Sequence, residues 1–256
     1  MVGPSVSVDT EPWLLTFPGL GSATVAEDGT VTIDPEPSND GDDIDSKSQA
    51  LLNCWAELIS WSRKGFSLTR GSCLVPSATS DSGLLLLGGD HELPEVEFPL
   101  LNRGWHLVSD KPTPMSETES GLIAHPRAAP LIAAKRYRKQ HDWVATALRP
   151  DSNAFGFEVP RVHTPITIRG ICEVHTRRPN EVALENVTGL ERFSVGAHLA
   201  IGGMLSPVRD ALEPDEAVAA HVRAASLPIC ALRIDPNTIS ADVDLLLAWW
   251  DSVIES

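Results

Sequence analysis

The 256-residue chain has a single tyrosine and three methionines, and no apolar run approaching the ~20 residues that a membrane-spanning helix requires. Its amino terminus lacks the basic, apolar and small-residue zones of a secretion signal, so the expectation is a cytoplasmic protein with no membrane partner. The four cysteines, Cys54, Cys73, Cys172 and Cys230, make no CxxC pair and have no histidine at ligand spacing. They are expected to be reduced, mostly buried thiols. There is no HExxH pair and no GxSxG elbow, and His163 and His175 read as surface or satisfied core positions, so no metal and no cofactor is expected. Positive charge is scarce: 20 Lys and Arg against 35 Asp and Glu give a net charge of −15. That balance excludes a broad duplex-DNA surface, and nucleic acid is not an expected partner. The exceptions are the KRYRK run at residues 135–139 and Arg177–Arg178, each able to hold an acidic group or to form a solvated face.

A hydrophobic content of 42% is enough to build a core. Residues 1–45 read as a β-hairpin module and acidic linker, and residues 46–256 as the main domain. Within the first part, WLLTF, ATV and TVTI surround the turn Glu27-Asp28-Gly29-Thr30, where Asp-Gly suits a tight hairpin. EPSNDGDDID, at residues 36–45, reads as the linker. The apolar spacing over residues 46–62 predicts an amphipathic helix. Strands are expected over residues 66–75, 84–87, 105–109, 164–175 and 227–234, with helices over 95–102, 187–204, 211–225 and 240–254. Prolines at 126 and 130 predict irregular extended chain over residues 122–134, and residues 137–148 read as partly helical.

The most informative stretch is residues 83–110, GLLLLGGDHELPEVEFPLLNRGWHLVSD. Four leucines bounded by glycines predict a central strand buried on both faces, as in a mixed sheet flanked by helices. The order of a strand, a glycine-bearing loop, a helix and a second strand is that of a phosphate-binding unit. Such a unit needs GxxxxGK[ST]: glycines so that backbone N–H groups converge on phosphate, a lysine for its charge and a hydroxyl for magnesium. Counted from Gly88, with Gly89 following it, those last three positions fall on Leu93, Pro94 and Glu95. Pro94 has neither an ammonium nor an N–H. Glu92 and Glu95 set negative charge against a polyanion, and two like charges ~4 Å apart repel by about 4 kcal/mol at a surface-like dielectric. The alternative for the stretch is plain structure, a buried strand, loop and helix of an unrelated α/β protein.

The order of segments resembles the carboxy-terminal domain of the HPr serine kinase/phosphorylase family, P-loop proteins with a phosphoenolpyruvate carboxykinase-like fold. In that family a strand ending in His-Gly precedes an apolar strand, the P-loop, a helix ending in Arg-Gly and a strand ending in two aspartates. Here Thr69-Arg70-Gly71 stands for the first, Leu84 to Leu87 for the apolar strand, Leu100-Leu101-Asn102-Arg103-Gly104 for the helix end and Trp105 to Asp110 for the last strand. The resemblance extends loosely over residues 66–254. It implies an α/β fold with an HPr-kinase-like mixed sheet flanked by helices. Of the family's functional residues only Asp110 carries over; Lys111 replaces the second aspartate and Arg70 the histidine.

A family that acts on protein serines, stripped of its nucleotide site, implies a non-catalytic, peptide-binding pseudokinase. Relatives of this kind accompany ribosomally made, modified peptides, so the implied role is to recognise a precursor peptide and present it to the modifying enzymes. Strand addition is the expected mode, with the amino-terminal hairpin (Trp13, Leu15, Phe17) and the tryptophans Trp249 and Trp250 as candidate contacts. Two alternatives stand beside it. One is an atypical nucleotide-dependent kinase or phosphotransferase with Asp110 as base and Arg70 or Lys111 supplying the missing cation. The other is a structural subunit, a homodimer or part of a larger complex.

Overall fold

A computed structural model describes residues 5–7, 12–17, 21–28, 30–35, 57, 60–61, 64–139, 143–147, 153–199 and 222–255. The expected linker, most of the helix expected over residues 46–62, Cys54 and most of the helix expected over residues 211–225 lie outside them. The chain divides into two compact units, Met1–Leu68 with Ile201–Val218, and Thr69–Ala200 with Ala219–Ser256.

In the first unit, β1 (Ser5–Ser7), β2 (Trp13–Phe17), β3 (Gly21–Val25) and β4 (Val31–Pro35) form an antiparallel four-stranded sheet in chain order. The β3–β4 turn is closed by Ala26 N–H donating to the Thr30 carbonyl at 2.8 Å and Thr30 N–H donating to Asp28 Oδ1 at 2.8 Å. Trp13, Leu15 and Phe17 lie in register with Val25, Ala23 and Gly21. Their strand also pairs with β1, so it is interior to the sheet and offers no open edge.

The second unit is mixed α/β and mostly strand. Its strands are β6 (Gly71–Val75), β7 (Ser82–Leu87), β8 (His106–Ser109), β9 (Thr113–Thr118), β10 (Gly121–Ala124), β11 (Leu131–Ala134), β12 (Ala145–Ala147), β13 (Ala154–Phe157), β14 (Ile166–Thr176), β15 (Leu184–Asn186) and β16 (Ile229–Ile234). The short β5 (Ser67–Thr69) spans the unit boundary. Helices α1 (Leu93–Asn102), α2 (Glu191–Leu199) and α3 (Ile239–Ile254) and a 3-10 turn over Lys135–Lys139 join these strands, and residues 222–226 are also helical. The main sheet runs β9-β10-β14-β7-β6-β8. The long β14 pairs antiparallel with β10 at its start and parallel with β16 along its end, while β7 lies parallel along its other edge. A separate antiparallel sheet runs β11-β13-β12.

The leucine run explains itself in this arrangement. Leu84 and Leu86 join the core with α1 and α3, whereas Leu85 and Leu87 point into the opposite core with Val108, Met115 and Ile168. A strand buried on both faces reads as a continuous apolar run rather than an alternation. Helix α1 tolerates Pro94 because its missing N–H falls in the first turn. The helix ends at Gly104, whose φ of 88° fits the left-handed cap, with Trp105 N–H donating to the Leu100 carbonyl and Gly104 N–H to that of Leu101.

Helix α3 buries Val243, Leu246, Trp249 and Trp250, the i, i+3, i+6, i+7 face. A Cβ at Gly170 would come within 3.0 Å of the Trp249 ring, so glycine lets β14 meet this helix closely. Cys73, Cys172 and Cys230 are free and buried, as the sequence suggests. The extended chain expected over residues 122–134 forms most of β10 and all of β11, with the prolines in the link between them. The partly helical chain expected over residues 137–148 is represented by the 3-10 turn, which ends at Lys139, while residues 145–147 form β12.

Candidate functional site

Strand β7 runs out into Gly88 and Gly89, and the loop through Asp90, His91 and Glu92 leads into α1. Gly88 is needed for close approach: a Cβ there would sit 3.0 Å from the Val174 carbonyl oxygen on β14. At Gly89 the Glu92 carboxylate folds back over the Cα, into the space a Cβ would fill. Thr176 Oγ1 donates to Glu92 Oε1 at 3.3 Å. The loop amides turn inward: Leu93 N–H donates to the Gly89 carbonyl and Glu95 N–H to that of Glu92, both at 3.1 Å. Leu93 and Pro94 are buried in the core. Glu95 pairs with Arg136, Nη2 to Oε1 at 2.6 Å.

A cavity of about 370 Å³ opens at the carboxyl ends of the parallel strands β7 and β14, lined by Arg70, Gly88, Gly89, Glu92, Glu173 and His175. His175 Nε2 lies 3.1 Å from Glu173 Oε2, and this hydrogen bond holds the imidazole pKa above its ordinary value despite partial burial. Glu92 and His175 also line a neighbouring hollow of about 490 Å³ with Arg178, Glu181 and Arg233. Arg233 is held by Glu185, Nη2 to Oε1 at 2.5 Å.

A second constellation lies behind α1. Asp110, at the end of β8, is 2% exposed. Its Oδ1 accepts Lys111 N–H at 2.7 Å and its Oδ2 accepts Ile132 N–H at 2.9 Å. Ser72 Oγ lies 2.5 Å from Glu97 Oε1 and 3.1 Å from Asp110 Oδ1. A hydroxyl has one proton to give, so one of these two contacts needs a carboxyl proton. Glu97 carries it: complete burial, and then the neighbouring Asp110 charge, push its pKa up to about 8. The result is a relay in which protonated Glu97 meets Ser72 and Ser72 meets ionised Asp110.

Glu97 Oε2 is buried with no hydrogen-bond partner among the described residues. Burial works against the Lys111 ammonium, but Glu97, Asp110 and Asp90 outweigh it and its pKa is raised. Its Nζ stands 3.2 Å from Asp90 Oδ1, with Lys111 13% and Asp90 70% exposed. These residues border a cavity of about 520 Å³ that also takes in His91, residues 132–134, Asn153 and Ala154.

The expected nucleotide-site residues are therefore not gathered in one place. Gly88, Gly89 and Arg70 line the first cavity, Asp110 and Lys111 the second, and Leu93 and Pro94 lie in the core. Trp249 and Trp250 do not serve as surface contacts: both are buried. Trp249 Nε1 donates to Asn186 Oδ1 at 2.9 Å, and the Trp250 ring meets that of Trp105 edge-on at 5.7 Å. Ser72 and Glu97 escaped the sequence reading. The available signal was an acid on the apolar stripe Leu93, Glu97, Leu100, Leu101.

Among the described residues no group of His, Cys, Asp and Glu could hold a metal ion, and no helix is long and apolar enough to cross a membrane. Together these features define a mixed α/β unit whose glycine loop is closed by its own carboxylate. No protein-family model matches the chain, and no curated protein matches it either.

Proposed function

We propose that this chain is a non-catalytic peptide-binding protein, an HPr-kinase-like pseudokinase that holds a precursor peptide for modifying enzymes. The observation that carries the reading is the Glu92 carboxylate standing over Gly89. In a phosphate loop that space belongs to an anion held by outward-facing amides. Here a fixed negative charge stands there, and the amides of Leu93 and Glu95 are spent on the loop itself. Asp110 is a poor general base for the kinase alternative, because both its oxygens are already engaged by donors of the fold itself.

The test is a thermal melt of the full chain with millimolar ATP and magnesium, paired with calorimetry against the strongest binder selected from phage-displayed random dodecapeptides. The expected result is no shift with nucleotide and micromolar association with the peptide. A nucleotide-dependent rise of several degrees, which a ligand at 100 times its dissociation constant would give through about 2.7 kcal/mol of stabilisation, overturns the non-catalytic reading.

A further inference from the structure

We propose that the open edge of β11 is where this chain takes up an extended polypeptide, as an added strand whose basic group is received by the exposed Asp90. The proposal rests on the peptide-binding reading above and gives it a location. Among the described residues strand β11 pairs with β13 alone, through Leu131–Phe157, Ile132–Gly156, Ala133–Phe155 and Ala134–Ala154. Lys135 N–H donates to the Asn153 carbonyl at 2.7 Å, which continues the same ladder.

Backbone groups alternate across an antiparallel pair, so residues 131, 133 and 135 face β13 while 132 and 134 face the other way. Ile132 N–H is taken by Asp110. The Ile132 carbonyl and the Ala134 N–H remain without a partner among the described residues. They bracket Ala133 and form the acceptor and donor that one residue of an incoming strand engages.

The cavity of about 520 Å³ runs along this edge. The strand's four residues give it a length of ~13 Å, at ~3.3 Å per residue. Folded chains ordinarily block a bare strand edge with charge, proline or a covering element. The β11 sequence, Leu-Ile-Ala-Ala, has neither charge nor proline, Asp110 covers only the Ile132 N–H, and Ile132 remains 40% exposed.

The charge at the site selects the occupant. Asp90 and Asp110 oppose one Lys111 ammonium, and Glu97 behind them is protonated near neutral pH, which leaves one negative charge over. The groove therefore favours a segment that sets lysine, arginine or a free amine beside Asp90.

The test selects phage-displayed random dodecapeptides on the full-length chain, then titrates the strongest binder, made synthetically, by calorimetry. Ala134→Pro removes an N–H on the side away from β13, where an edge strand tolerates proline. The expected outcome is a set of basic binders that Ala134→Pro weakens at least about tenfold, about 1.4 kcal/mol. Asp90→Asn should weaken them several-fold, in a salt-dependent way.

N-methylation of the peptide should abolish binding at alternate positions only, a signature that a side-chain pocket does not produce. It decides the matter on unaltered protein if Ala134→Pro fails to fold. Binding that survives both Ala134→Pro and N-methylation overturns the β11 edge while leaving the peptide reading intact. Failure to select any binder overturns the peptide reading itself, and this inference with it.

Discussion

The loop after β7 contributes to two cavities of different character. Gly88, Gly89 and Glu92 face the first, where Glu92 is paired with Thr176 and His175 with Glu173. Asp90 and His91 face the second, which is backed by the Glu97–Ser72–Asp110 relay and bordered by an open strand edge. The frame of strand, helix and strand is thus separable from the chemistry at the loop. The carboxyl ends of the parallel strands are the usual place for a ligand in an α/β sheet, yet here the Glu92 carboxylate stands over the glycine loop at that end. The unspent backbone groups lie beside the second cavity.

The largest effect should come from breaking the joint between the frame and the small sheet. Phe98 on α1 stacks on Tyr137 at 4.7 Å and on Trp143 at 5.4 Å, and meets Phe157 edge-on at 5.0 Å. Phe98→Ala should cost about 3–5 kcal/mol in denaturant unfolding and should loosen the β11 edge together with α1. A loss below about 1 kcal/mol would mean that the second cavity does not depend on the frame.

Next in size is a pH effect. The folded pKa of Glu97 is raised to about 8 from an ordinary 4.5, so the folded state holds a proton that the unfolded chain releases. Its stabilising contribution is complete below pH 4.5 and is lost as pH rises towards 8, with a limiting slope of about 1.4 kcal/mol per pH unit. Glu97→Gln keeps a donor to Ser72 but cannot titrate, so its unfolding free energy should be flatter over that window. An unchanged slope would mean that Glu97 is ionised in the fold and that the relay is wrong.

What could be read from the sequence follows from how local each signal is. The leucines of β7, the helix end before Gly104 and the extent of α3 are set by neighbours within a few residues, and all three stand as expected. Strands β9, β13 and β15 were not anticipated, because TPMSET, AFGF and LEN are short or polar and exist through pairing with distant strands. The two adjacent tryptophans were candidate surface contacts, but α3 packs so that Trp249 reaches Gly170 and Trp250 reaches Trp105. Asp110 was singled out for its place in a motif, but its partners, Ser72, Glu97 and Ile132, come from three separate elements that only the fold brings together.

Two smaller effects sharpen the contrast between the cavities. Asp110→Asn keeps the shape but turns one acceptor into a donor, so either Ile132 N–H or Lys111 N–H faces an N–H group. The expected cost is about 1–3 kcal/mol, and with the Asp110 charge gone the Glu97 titration should move down, read as a shift of the stability-against-pH curve. At the loop, Arg136→Ala removes the pair to Glu95, whose side chains are 55% and 27% exposed. An exposed pair of this kind contributes below about 1 kcal/mol, and less at high salt. If Arg136→Ala instead cost as much as Asp110→Asn, the position where a phosphate loop keeps its hydroxyl would be structurally essential, and the contrast between an expendable loop end and an essential buried cluster would fail.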